Sequence, residues 1–164
     1  MKTRNGMHKF SALYSSKVIK EVVLRFKDAE EIPPELAQSK EKITCPEDLY
    51  KKFKPLFEGF TTERFVVFSL STDLKVNAYK AISEGLLNSS LVHPREVFIF
   101  AIACASACII LAHNHPSGNT EPSQEDITIT KQLVEASKIM GIKIQDHIIF
   151  AGEAYTSLAE RGLL

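Results

Sequence analysis

Two histidines stand two residues apart, His113 and His115, and Ser123 and Asp126 follow them in the stretch "HNHPSGNTEPSQED". On an extended segment, positions i and i+2 face the same side, so both imidazoles can approach one metal ion. Asp126 falls in the first turn of the helix expected next, and it returns a carboxylate to the same point if "PSGNTEPS" folds back. Three nitrogen and oxygen ligands with a fourth position open describe a catalytic zinc site, because structural zinc sites are closed and rich in cysteine. Water at that open position is made acidic by the metal, which is the start of hydrolysis of an amide, peptide or isopeptide bond. Such a reaction also needs a base for the water proton and an acid for the departing nitrogen.

Plainer readings stand beside this one. Ser-x-x-Asp at a helix start is close to a capping box, and Ser123 and Asp126 could serve only there. A cap leaves His113 and His115 unexplained, and a residue at the third helical position can cap and ligate together. His147, next to Asp146, is read as a hydrogen-bonded structural residue on a strand, and His93 before Pro94 as a helix cap or the rim of the site. Cys104 and Cys108, four apart in an apolar helix, are expected to pack as small hydrophobes rather than bind metal.

The elements that must position these residues can be read from the same chain. "KVIKEVVLRFK", Lys17 to Lys27, alternates as a half-buried strand would, and "DAEEIPPELAQSKEK" after it reads as a linker. In "TCPEDLYKKFKPLF", Thr44 and Glu47 suggest a capping box, Pro46 sits just inside the start, and Pro55 should kink or end the helix. "ERFVVFSLS" and "LKVNAYKAISEG", joined at Thr72-Asp73, read at period two as an antiparallel hairpin. Asn88 to His93 is a loop, and Pro94 opens a helix through "REVFIFAIACASA". The short buried strand "CIILA" then delivers the histidines. Pro122 and Ser123 open "QEDITITKQLVEASKIM", with Gly141 as its stop, before the strand "IKIQDHIIFAG" and an edge or terminal piece "AYTSLAERGLL". Interleaved helices and strands give an α/β or α+β class with a mixed sheet.

The arrangement His-x-His, seven residues, Ser, two residues, Asp resembles the JAMM motif of the MPN/JAB metalloprotease domains. The wording "VHPREVF", "HNHPSGNTEPSQED", "DHII" and "YTSLAERGLL" is similar to the RadC-like branch, over roughly residues 42 to 164. Residues 1–41 then form an N-terminal extension, with one strand and a Pro-containing linker, ahead of a 42–164 domain. The resemblance implies a mixed sheet flanked by helices, of JAB/MPN-like, cytidine-deaminase-like architecture. It also implies Zn2+ held by His113, His115 and Asp126, with Ser123 bonding the water on the metal or steadying the tetrahedral intermediate. An upstream glutamate serves as general base and then proton donor in this family. Glu63 of "TTERFVVFSL" occupies the matching place, Glu84 of "ISEGLL" is the runner-up, and Glu96 is less suited on the core helix.

Composition narrows the remaining function classes. Lys and Arg together number 20 against 20 Asp and Glu, so no basic excess marks a nucleic-acid surface. RadC-like proteins carry a DNA-repair label, and a DNA-associated accessory protein is one alternative to a hydrolase acting on protein or peptide. A metal-free MPN-type interaction module is another, which the intact ligand set argues against. The apolar run "VFIFAIACASACIILA" is shorter than a membrane span and holds small and polar side chains, so no membrane partner is expected. "MKTRNGMHKF" lacks the apolar stretch of a secretory signal, and three cysteines form no disulfide framework, so the expectation is a cytoplasmic protein with reduced thiols.

Overall fold

The computed structural model describes residues 41–85 and 92–164. The strand expected over Lys17 to Lys27, most of the linker after it, and part of the loop before His93 lie outside the described residues.

Helix α1, Pro46–Phe53, starts one residue later than its sequence suggested. Cys45 is its N-cap, and Asp48 rather than Glu47 completes the start. The Asp48 carboxylate accepts from Thr44 N and Oγ1, both at 2.8 Å, and from Cys45 N at 3.1 Å. Those bonds, the Thr44 backbone first, pull the Asp48 pKa down to about 2. Pro55 cannot donate to a fourth-residue carbonyl, and the chain tightens into a 3-10 turn at Lys54–Leu56.

Five strands follow in the spatial order β2-β1-β3-β4-β5: β1 Arg64–Leu70, β2 Val76–Glu84, β3 Cys108–Asn114, β4 Lys143–Ala151 and β5 Ala154–Ser157. β1 runs antiparallel to both β2 and β3, β3 and β4 are parallel, and β5 closes the sheet antiparallel to β4. Helix α2, Pro94–Ala103, joins β2 to β3, and α3, Gln124–Met140, makes the crossover between the parallel strands. The result is the expected α+β class with a mixed sheet.

β1 forms the expected hairpin with β2 but departs from its period-two reading, because all seven of its residues are buried, as are those of β3. Layers cover both faces of the sheet, so these central strands carry apolar side chains on both sides and show no clean alternation. Val66, Phe68, Ile110, Ala112 and Phe150 meet α1 through Leu49, Tyr50 and Phe53. Phe65, Val67, Ile109 and Leu111 meet Val97, Phe98 and Ala101 of α2 with Ile129 and Leu133 of α3. Each such fully buried side chain contributes about 1.5–3 kcal/mol relative to exposure, which holds α3 against the ends of β3 and β4.

One detail of the sequence reading changes. Cys104 caps the end of α2 and Cys108 begins β3, so they do not share a helix; Ala105, with φ of 48°, turns the chain between them. His93 is the N-cap of α2, its Nδ1 accepting from Arg95 N at 3.1 Å. Gly141 ends α3 in the left-handed region at φ 65°, where glycine has no Cβ to clash. Among the described residues, no helix is long and apolar enough to cross a membrane.

Candidate metal centre

His113 is the sixth residue of β3 and lies on the α3 side of the sheet, two places beyond Leu111. His115 extends the ladder one step past the strand, its N donating to Phe150 O at 2.8 Å. The parity of a strand turns Asn114, between them, to the other side. There its Oδ1 accepts from Arg64 N at 2.7 Å and its Nδ2 donates to Thr62 O at 3.0 Å.

The loop after His115 folds back as the ligand geometry requires. Gly118, at φ 74°, donates to His115 O at 2.9 Å, and Asn119 O lies 2.7 Å from His115 Nδ1. Further along, Glu121 is held by Arg161 through two bonds of 2.6 and 2.9 Å. Ser123 is the N-cap of α3: its Oγ accepts from Asp126 N at 3.1 Å and donates to Asp126 Oδ2 at 2.7 Å. The carboxylate reaches back to Ser123 N at 2.7 Å, so the cap and the carboxylate's placement are one structure.

These pieces converge. Asp126 Oδ1 is 3.2 Å from His113 Nε2, and Oδ2 is 3.4 Å from His115 Nε2. The two Nε2 atoms are 3.0 Å apart. The three side chains offer ligand atoms all within 4.8 Å of one another, a spacing that could hold a metal ion. A carbonyl oxygen can only accept, so His115 carries its neutral-state proton on Nδ1, toward Asn119, and turns the Nε2 lone pair inward. Two imidazole nitrogens and a carboxylate without a thiolate form an intermediate donor set, of the kind that divalent first-row metal ions take.

The electrostatics match an anion between two imidazoles. Burial alone would push the Asp126 carboxyl up, but hydrogen bonds and charge from His113 and His115, with Ser123, hold it well below the usual carboxylate range. The hydrogen bond to Asp126 in turn raises the His115 pKa against the opposing effect of burial, and Glu63 adds to the rise.

Glu63 is therefore within electrostatic reach of His115. Phe65 pairs with His113 in the β1–β3 ladder, and continuing that register sets Glu63 opposite His115. The Asn114 carboxamide grips the residues on either side of it, Thr62 and Arg64. Glu84 lies elsewhere: paired with Arg64 across the β1–β2 ladder, it sits on the opposite side of the sheet and forms an ion pair with the Arg64 guanidinium, 3.0 Å from Nε. The same guanidinium donates to Leu56 O and stacks 4.6 Å from the Phe60 ring. Glu96, in the first turn of α2, pairs with Arg95.

Sequence reasoning missed Thr130 at this centre, and it read His147 as a hydrogen-bonded residue on a strand, which it is, without its link to His113. His147, fully buried on β4, has Nε2 2.8 Å from His113 Nδ1, and its Nδ1 lies 2.6 Å from Thr130 Oγ1. Asp146 does not bond that imidazole; it accepts from Ser157 Oγ, His147 N and Ala159 N. The available signals were Thr130 standing one turn after Asp126 and a histidine in a strand. Only the parallel β3–β4 register, in which Leu111 faces His147, brings the two together.

The RadC-like JAB domain profile matches residues 43–163. The chain belongs to the RadC-like JAB domain family. A UPF0758 protein of Salinibacter ruber is 49% identical over 123 residues, covering 75% of this chain and 53% of that protein. A UPF0758 protein of Methanospirillum hungatei is 48% identical over 124 residues, 75% of this chain and 55% of the relative. One of Desulforamulus reducens is 45% identical over 128 residues, 78% and 56%. This RadC-like JAB chain thus spans about half the length of the curated relatives it matches.

Proposed function

We propose that this RadC-like JAB domain is a zinc-dependent hydrolase of amide bonds in a peptide or isopeptide substrate. The observation that carries the reading is the convergence of His113 Nε2, His115 Nε2 and both Asp126 oxygens on one buried point, each at 3.0–3.4 Å from its neighbour. His113, His115 and Asp126 would hold the ion. When bound, zinc supplies Lewis acidity, polarising the scissile carbonyl and making water more acidic.

The chain's own residues do the rest. Glu63, opposite His115, takes the proton of the attacking water on its carboxylate and passes it to the departing nitrogen. Asn114 keeps that glutamate in place through the backbone on either side of it. Ser123 orients Asp126, and its hydroxyl proton can rotate from Oδ2 toward the carbonyl oxygen of the substrate as charge develops there. Beside His115 a pocket of about 250 Å³, with Phe57, Phe60 and Phe150 as its apolar lining and Lys54, Glu58 and Glu153 among its polar residues, suits an apolar side chain of the substrate.

Two measurements test the reading together. Protein purified without added metal should contain zinc in stoichiometric amount, and Glu63→Gln should keep that zinc while hydrolysis of a peptide and isopeptide panel falls about 10²- to 10⁴-fold. Zinc-free wild-type protein that takes up no metal on titration, or unchanged hydrolysis in Glu63→Gln, would overturn it.

A further inference from the structure

The hydrogen bonds behind His113 have a direction that their distances decide. Thr130 Oγ1 is 2.6 Å from the Asp126 carbonyl oxygen, and two oxygens so close need a proton between them. The carbonyl can only accept, so the single hydroxyl proton of Thr130 points to Asp126. Oγ1 is also 2.6 Å from His147 Nδ1, and with its own proton committed it must accept there. His147 therefore carries a proton on Nδ1. Fully buried, with a hydroxyl and an imidazole rather than a carboxylate at its two ring nitrogens, it is neutral, and one proton on Nδ1 leaves Nε2 as an acceptor. His113 Nδ1, 2.8 Å away, must then be the donor, which leaves the His113 Nε2 lone pair facing the centre.

We propose that Thr130 and His147 are positioning residues for the metal centre: their relay fixes the His113 proton on Nδ1 and so keeps Nε2 open to the ion. The relay starts at the carbonyl of Asp126 and ends at His113, so these two candidate ligands are coupled through protein as well as through the metal. His115 reaches the same state by a separate route, its Nδ1 lying 2.7 Å from Asn119 O. Without the relay, His147 can carry its proton on Nε2 and drive the His113 proton onto the inward nitrogen, where it would block coordination. The proposal rests on the metal-site part of the reading above and not on hydrolysis.

Thr130 is fully buried, and valine matches its shape without the hydroxyl. Thr130→Val should weaken Zn2+ affinity, measured by competition with a chelating dye, by about 10- to 100-fold, as loss of an outer partner of a ligating histidine does. Thr130→Ser keeps the hydroxyl and should bind Zn2+ as the wild type does. In 15N spectra of the zinc-loaded wild type, His113 should show a protonated Nδ1 coupled across its hydrogen bond to His147 Nε2. Wild-type affinity in Thr130→Val, an equal loss in Thr130→Ser, or absence of that coupling would each overturn the proposal. If Thr130→Val fails to fold, the serine variant and the coupling still decide. A wild type that binds Zn2+ and shows the coupling yet cleaves nothing in the peptide and isopeptide panel would sink the hydrolase reading while upholding the relay.

Discussion

Ser123 is a residue with two duties that a single substitution can separate. As N-cap it satisfies the Asp126 backbone, and through its hydroxyl and its backbone N it fixes Asp126 Oδ2. Ser123→Ala removes the first duty at a cost of about 0.5–2 kcal/mol in stability. The second loss should appear separately, as weaker zinc binding even after the stability change is allowed for. Paired urea melts and zinc titrations check this; a purely structural serine would move the melt and leave the titration alone. The pattern Ser-x-x-Asp could be read in the chain either as a cap or as part of a metal site, and the structure shows why choosing was unnecessary: the N3 carboxylate that closes a capping box also faces the end of β3. His147 was harder to read, since a strand histidine in the sequence says nothing of which imidazole stands behind it.

At the scale of elements, β3 and the start of β1 form a single device. Asn114 ties the loop before β1 to the end of β3 by two bonds that bracket Glu63, and Asn114 itself is buried. Asn114→Ala should lower stability by about 1–3 kcal/mol, because Arg64 N is left without its buried acceptor. If Asn114 also positions the base, kcat falls while zinc stoichiometry stays at the wild-type level; equal kcat in the folded variant would confine Asn114 to stability. Element identity was largely legible, because capping residues, prolines and Gly141 mark helix ends by local chemistry. The α1 start shifted by one residue since both Glu47 and Asp48 can close a cap, and the difference lies in which carboxylate reaches Thr44. Glu63 is preferred to Glu84 by its place in the resembled motif; the strand face each occupies is set by pairing rather than by composition.

For the whole molecule, the buried titratable groups set how stability follows pH. In metal-free protein the His115 pKa is raised above its ordinary 6.5, so its stabilising contribution is full below that value and is lost as pH climbs through the raised one. His147 is lowered from 6.5 and Asp126 from 3.8, so below those values the unfolded chain binds protons that the folded one refuses. Acid therefore destabilises through His147 first and Asp126 after it, while alkali removes the His115 contribution. Urea midpoints of metal-free protein should peak at about pH 6.5, and zinc should abolish the decline on the alkaline side by replacing the shared proton. Midpoints that rise steadily to about pH 9 in metal-free protein would contradict this balance. The turning of His113, Asn114 and His115 to alternate sides has a last consequence, for how this chain can change in length. Adding or removing one residue ahead of His113 within β3 would exchange the two faces, sending the imidazoles toward Phe57 and Phe150 and the carboxamide toward Asp126. Insertions and deletions that the protein can absorb are thereby pushed past His115, into the exposed turn that follows it.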